Sequence, residues 1–340
     1  MKKITDFAYY LTDFLTNFLI AEKGNSNNTV KSYSYTFLLL LKYMKEVKNR
    51  DADRISLEDI NKDNILGFLD WLQVCRKCGN CTRNQRLVAI TTFVKYLQYK
   101  CPSILFKSQE IASIPSKRCE EKVISYLTVD GIKLLLKQPN RITDQGLRDL
   151  CLLSLMYESA ARVQEIIDLT PTSLRISDKP YVVILHGKGN KERIVPLSDS
   201  ISSLLNEYLK RFGLNRRENT TKPLFPNPQH NPLTRNGINN MLIKYVKMAK
   251  QENPGLIPNG LSCHSLRHSK AMGLLESGIE LIHIRDFLGH KSVITTEIYA
   301  RVNPKFIFEA VKSAYVEINL EVPVWVGNKV LLEKLRELTK

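Results

Sequence analysis

The sequence lacks any hydrophobic run long enough to cross a bilayer. Its best candidate, Phe37 to Leu41, is cut off by Lys42, far short of the ~20 apolar residues a spanning helix needs. The pattern of a secretory leader is also missing, because Asp6 and Asp13 interrupt the first apolar stretch. A soluble, cytoplasmic protein is the expectation. Acidic residues are scarce beside basic ones, 34 against 50, for a net charge of +16. An excess of that size repels itself in a compact fold. It points to a polyanionic partner, nucleic acid first, although a basic surface that only keeps the chain soluble is the plainer reading. Cysteines are few and odd in number, seven in all, and without a secretory context free thiols are expected. Cys75, Cys78 and Cys81 are closely spaced. No His or fourth Cys stands at zinc-finger spacing, and Cys101 is the one near candidate, so no metal site is assigned. Internal repeats and low-complexity segments are absent as well.

What is present suits a globular chain of two domains: 340 residues, 43% apolar and 25% charged. The first hundred residues read as successive helices. Phe7, Leu11, Phe14, Leu15, Phe18 and Leu19 form one stripe over 6–22. The polar turn Gly24 to Asn28 breaks it, and a second helix is expected over 29–47 with Asn28 as its cap. Ser56-Leu57-Glu58-Asp59 has the look of a helix start. Helices over 62–76 and 82–99 follow, the latter with Leu87, Ile90, Phe93, Val94 and Leu97 on its core face. No strand pattern interrupts this all-α part. The polar, proline-containing stretch 109–122 reads as a linker. The domain division is therefore 1–108, a linker over 109–122, 123–315, and a tail over 316–340.

The second part mixes element types. Helices are expected over 128–137 and 146–159. Tyr181 to Leu185 and Arg193 to Leu197 read as two short strands around Gly187-Lys188-Gly189-Asn190-Lys191, a β-hairpin. Further helices are expected over 199–212, 234–251, 264–277, 280–288 and 292–301. The fold class is mainly α with a small β-sheet.

Several residues could do phosphate chemistry. A phosphodiester gains negative charge in its pentavalent transition state, and guanidiniums grip its oxygens bidentately. Arg162 opens a helix, and Glu165 lies three residues on, placed to orient a nearby cation. Lys188 sits at the hairpin tip. His264 and Arg267 share a helix face. His290 follows Gly289 at a helix end, and Tyr299 lies nine positions later on an amphipathic helix. Each also has an ordinary reading. Arg162 could be a surface arginine paired with Glu165, Lys188 a solvated turn lysine, His264 a residue at a helix start, and Tyr299 one of fourteen tyrosines.

Taken in order, these segments resemble the tyrosine recombinase, or phage integrase, family over nearly the whole chain to about residue 315. Ala161-Arg162-Val163-Gln164-Glu165-Ile166 is similar to its first arginine box, and Gly187 to Leu197 to its lysine hairpin. His264-Ser265-Leu266-Arg267 is similar to its His-x-x-Arg box, and Leu288-Gly289-His290 with Thr295 to Tyr299 to its closing box. Thr82 to Leu87 resembles part of its core-binding domain. Ala161 and Gln164 depart from the Leu and Ser frequent in the family.

The resemblance implies a SAM-like helical core-binding domain followed by an α+β catalytic domain. It also implies DNA cleavage and rejoining through a 3′-phosphotyrosyl link. Tyr299 would be the nucleophile, Arg162 and Arg267 the phosphate clamp, and Lys188 the acid for the 5′-oxygen. His264 would be an acid/base near the tyrosine, His290 a phosphate donor, and Glu165 a supporting group; His268 is read as structural. Neither metal nor ATP is needed, because transesterification conserves bond energy and protein cations face the phosphate. The expected partners are double-stranded DNA and further copies of the chain, as a tetrameric synapse. Arg83, Arg86, Lys117, Arg118, Lys191 and Arg235 are candidate DNA contacts, each equally an ordinary surface charge. In the tail, Phe306, Ile307, Ala310, Val311 and Ala314 fall on one helical face. Pro323 follows, then a helix over 331–338. Docking on a neighbouring protomer and packing within the chain are both open for this segment. Integration, excision or transposition of a mobile element is the favoured role, with chromosome-dimer resolution as the alternative. The rivals are a type IB topoisomerase-like enzyme and a non-catalytic DNA-binding regulator.

Overall fold

The computed structural model describes residues 5–120, 124–187, 191–302 and 329–339. The chain forms two compact units that divide between Lys122 and Val123.

In the first unit every described element is helical. Helix α1 (Asp6–Asp13) is capped by Thr5, whose side chain accepts from the Ala8 N–H, and it continues into a wider π-type helix, Phe14–Glu22. Helix α2 (Asn27–Lys48) starts two residues earlier than expected. Ser26 rather than Asn28 caps it, by accepting from the Thr29 N–H. Ser56 and Asp59 do form a reciprocal capping pair, but on a single 3-10 turn. Helix α3 (Lys62–Val74) is then capped separately by Asn61. Helix α4 (Asn80–Lys100) buries all five of the residues expected on its core face. They meet Phe7, Phe14 and Phe37 in an aromatic core. Fully burying a side chain of this kind contributes about 1.5–3 kcal/mol, so this cluster dominates the unit's stability.

The stretch expected to be a linker is tied to this unit over most of its length. Helix α5 (Leu105–Ala112) extends into it, and Ile111 and Ile114 are buried in the core. The Asn84 carboxamide bonds the backbone of Lys117 in both directions, at 2.6 and 3.0 Å. Asn80 donates to the Arg118 carbonyl at 2.7 Å. Cys81 and Cys119 lie side by side, with Cα atoms 5.4 Å apart. Polarity and proline suggested a linker, but asparagine side chains satisfy the backbone of an irregular segment as well as water does.

The second unit is α+β. Helices α6 (Val129–Lys137) and α7 (Asp144–Glu158) are capped by Thr128 and Thr143. Short α8 (Val163–Ile167) leads to strand β1 (Leu174–Arg175), which the sequence reading missed because two residues carry no periodicity. Strands β2 (Val182–His186) and β3 (Glu192–Pro196) pair antiparallel, from Val182 opposite Pro196 to His186 opposite Glu192. The sheet order is β1-β2-β3. Helices α9 (Asp199–Arg211), α10 (Arg235–Glu252), α11 (Cys263–Glu276), α12 (Leu281–Leu288) and α13 (Ile294–Val302) follow. Val183, Leu185 and Val195 face Leu152 and Leu155 of α7 and Leu205 of α9 in the main core. A smaller cluster joins α11, α12 and α13 through Met272, Leu275, Ile284, Leu288 and Tyr299. A last described helix spans Lys329–Glu337. Phe306 to Ala314, Pro323 and Lys188 lie outside the described residues. Among the described residues no helix is long and apolar enough to cross a membrane.

Candidate functional site

The site grows from the turn between α7 and α8. Ala160 adopts a left-handed backbone with φ 46°. Its carbonyl accepts from Arg267 Nη1 at 2.7 Å. Arg162 stands at the N-cap position of α8, where the Glu165 carboxylate reaches back to its N–H at 2.8 Å. The same carboxylate takes Arg162 Nη1 at 2.8 Å and Arg193 Nη1 at 2.9 Å. Glu165 is only 5% exposed. Burial alone would raise its carboxyl pKa, but Arg193 and Arg162 hold it below the usual carboxylate range. It therefore stays charged and braces two guanidiniums.

Arg267 enters from the other side. It is buried, and its Nη2 donates to the carbonyl of Leu288, the last residue of α12, at 2.5 Å. Burial, then Arg162 and Arg193 beside it, lower its pKa to about 9, so it is still protonated at neutral pH. Its Nε and that of Arg193 are buried without a hydrogen-bond partner among the described residues. A buried donor left unpaired costs about 1–3 kcal/mol, and an anion would relieve that cost. Gly289 ends α12 at φ 65° and offers its carbonyl to Arg162 Nη2 at 3.2 Å. Arg162, Lys191, Arg193, Gly289, His290 and Thr295 line a cavity of about 540 Å³. Lys291 lines it too, and so do Glu192 and Asp286; the cations outnumber these carboxylates, which favours an anion such as phosphate.

Three histidines surround these arginines. His290 Nδ1 shares a 3.0 Å hydrogen bond with the hydroxyl of buried Thr296. Burial, then Arg267 and Arg162, push it down to about 4, so it is neutral at pH 7. If the Thr296 hydroxyl donates, Nε2 carries the proton and becomes a donor. His264 is exposed at the start of α11, its ring edge-on to that of His268 at 4.4 Å between centroids. Desolvation, then Arg267 and Arg162, lower its pKa. His268 Nδ1 lies 3.0 Å from the Tyr299 hydroxyl. Tyr299 is buried against Met272 and Leu275, and burial raises its pKa despite Arg267.

Of the residues expected from sequence, Arg162, Glu165, Arg267 and His290 come together here, with His264 and Tyr299 beside them. The hydrogen bond to Tyr299 falls to His268, which had been read as structural, rather than to His264. Arg193 was not singled out at all, although its place on the hairpin strand that ends at Leu197 was legible.

The six expected DNA contacts differ in setting. Arg83 is only 3% exposed, with Nε unpaired and Nη1 on Asn84 at 3.4 Å. This corrects its reading as a surface contact, since α4 turns this position inward. Arg86 is half-buried, bonds Ser32 and Thr36, and stacks over Tyr35. Lys117, Arg118, Lys191 and Arg235 are exposed. Lys117 reaches Gln73 and Arg235 reaches Gln164.

The profile of the phage integrase family matches residues 125–305, and that of its N-terminal SAM-like domain matches 12–100. Tyrosine recombinase XerD of Listeria innocua serovar 6a is 31% identical over 296 residues, covering 86% of this chain and 93% of its own. XerC of Rickettsia prowazekii is 29% identical over 304 residues, covering 88% and 94%. Among solved structures, the XerH recombinase bound to palindromic difH substrate, a post-cleavage complex, superposes with a TM-score of 0.66 at 20% identity, over 92% of this chain and 90% of its own. The Tn1549 transposon integrase with a circular intermediate DNA gives 0.66 at 14% identity, over 92% and 100%. At those identities the structural likeness speaks for the fold alone. Sequence and fold together place the chain in the phage integrase family, as a site-specific tyrosine recombinase that cleaves and rejoins DNA.

Proposed function

We propose that Tyr299 is the nucleophile of this recombinase and that Arg162 and Arg267 clamp the scissile phosphate. The phenol oxygen attacks phosphorus, a 3′-phosphotyrosyl bond forms, and the 5′-oxygen leaves with a proton from Lys188. His290 donates to a non-bridging oxygen, and Glu165 keeps Arg162 aimed. His264, at the start of α11, acts as an acid/base near the tyrosine. The observation that carries this reading is one carboxylate, Glu165, bracing Arg162 and Arg193 beside the cavity that His290 also lines. Preorganised guanidiniums of this kind stabilise charge that develops only in the transition state.

Arg86, Lys117, Arg118, Lys191 and Arg235 take the DNA backbone, and synapsis assembles four copies on two duplexes. The helix Lys329–Glu337 exposes Val330, Leu332 and Leu335, with Leu338 just beyond it. Solvent is a costly environment for such a face, which supports docking of the tail on a neighbouring protomer. The role is integration, excision or transposition of a mobile element in the cytoplasm. A nicked suicide duplex tests the chemistry. Wild type should leave an adduct that survives SDS, and Tyr299→Phe should leave none; an adduct that survives the substitution overturns the assignment.

A further inference from the structure

We infer that His268 is the general base that takes the proton of Tyr299 as it attacks. This rests on Tyr299 being the nucleophile. Among the described residues His268 is the group whose hydrogen bond to the Tyr299 hydroxyl is seen, at 3.0 Å from Nδ1. The rings meet edge-on with centroids 5.5 Å apart, so the ring nitrogen and the phenol oxygen face each other. His264 occupies the preceding turn of α11, exposed, and touches the edge of His268 rather than the phenol. Arg267, one residue before His268, is fixed by the carbonyls of Ala160 and Leu288. The helix that holds a phosphate-facing guanidinium thus also holds the acceptor for the nucleophile's proton.

The step balances with Nε2 carrying the ring hydrogen. The proton passes from Tyr299 Oη to His268 Nδ1 while the Oη–P bond forms. The P–O5′ bond breaks, and its electron pair leaves on O5′, which the general acid protonates. On rejoining, a 5′-hydroxyl gives its proton to the conjugate base of that general acid and attacks phosphorus; the P–Oη bond breaks, and Oη recovers its proton from Nδ1. The groups bearing on His268 are Arg267 and His264 on its own helix and Tyr299 from α13. Burial, then His264 and Arg267, depress its basicity to about 4 in the free protein. A phosphate bound beside Arg267 offsets that cation and so relieves part of the depression when substrate arrives; the burial contribution remains.

The test is single-turnover adduct formation by the full chain on two suicide duplexes. One has an ordinary 5′-oxygen at the scissile bond and the other a 5′-sulfur, which leaves without a proton. His268→Asn keeps an acceptor near the Nδ1 position but is not basic. It should slow both substrates about 10²-fold or more, with DNA affinity unchanged. Loss confined to the oxygen substrate would place His268 on the leaving-group side and overturn the inference. So would a wild-type or faster rate on both. Nitrogen-15 NMR of the wild type should find the Nε2–H tautomer at His268; an Nδ1–H tautomer overturns the proposal without any variant. An adduct from Tyr299→Phe would instead sink the nucleophile reading beneath it.

Discussion

Glu165 and Arg193 form a buried ion pair, 2.9 Å between Oε2 and Nη2, with side chains 4% and 12% exposed. Breaking a buried pair by removing one partner costs about 3–5 kcal/mol, because the other charge remains. Glu165→Gln should therefore destabilise the catalytic unit by that order, leaving Arg162 and Arg193 facing each other. Arg193→Met leaves Glu165 still paired with Arg162 and should cost less. Urea denaturation of both variants checks the ranking; equal or reversed losses would show that the carboxylate is not the hub.

The same carboxylate sets an acid limb. Its folded pKa is depressed, so its contribution is present above the unfolded value and is lost as pH falls through the folded one. The histidines act earlier. His268 and His290 sit at about 4 when folded, against 6.5 in the ordinary range. The unfolded chain then binds more protons across that interval. Stability should fall between pH 6.5 and 4 from the histidines and further below about 4.5 from Glu165. The urea midpoint followed across pH resolves the two windows, and Glu165→Gln should shrink the lower one, to which Asp13 also contributes, while leaving the upper one in place.

Gly289 is required twice over. Its φ is 65°, and a Cβ there would lie 3.3 Å from Arg193 Cδ. A side chain costs about 1–2 kcal/mol in that backbone region and pushes on the residue that pairs with Glu165. Gly289→Ala should slow adduct formation at least tenfold with DNA affinity retained, as gel shift and single-turnover assays would read.

Much of this was legible in the sequence because helix periodicity and box order are local signals. Leu87, Ile90, Phe93, Val94 and Leu97 fell on one face by spacing alone. Arg162, Glu165, Arg267 and His290 could be named from motifs, but not their mutual bonds, which span up to 127 positions from Arg162 to Gly289. The hydrogen bond from His268 to Tyr299 was not legible, because nothing in sequence tells which of two histidines, one turn apart on α11, meets a residue from α13. Arg83 was misplaced because a positive charge suggests surface, whereas the helical phase of α4 beside Leu87 and Ile90 turns it inward.

That placement separates two kinds of arginine. Arg83→Met should change DNA affinity little and its salt dependence not at all, since the guanidinium meets no solvent. Arg118→Ala should weaken binding and reduce the slope of log affinity against log salt by about 1. Binding titrations at several salt concentrations distinguish them; a reduced slope in the Arg83 variant would mean that α4 rearranges on DNA.

The most direct measurement is mass spectrometry of the covalent adduct after exhaustive protease and nuclease digestion. A residual nucleotide is expected on the peptide carrying Tyr299, linked through its phenol oxygen to a 3′-phosphate. A nucleotide on any other peptide, or a 5′-phosphate link, would contradict it.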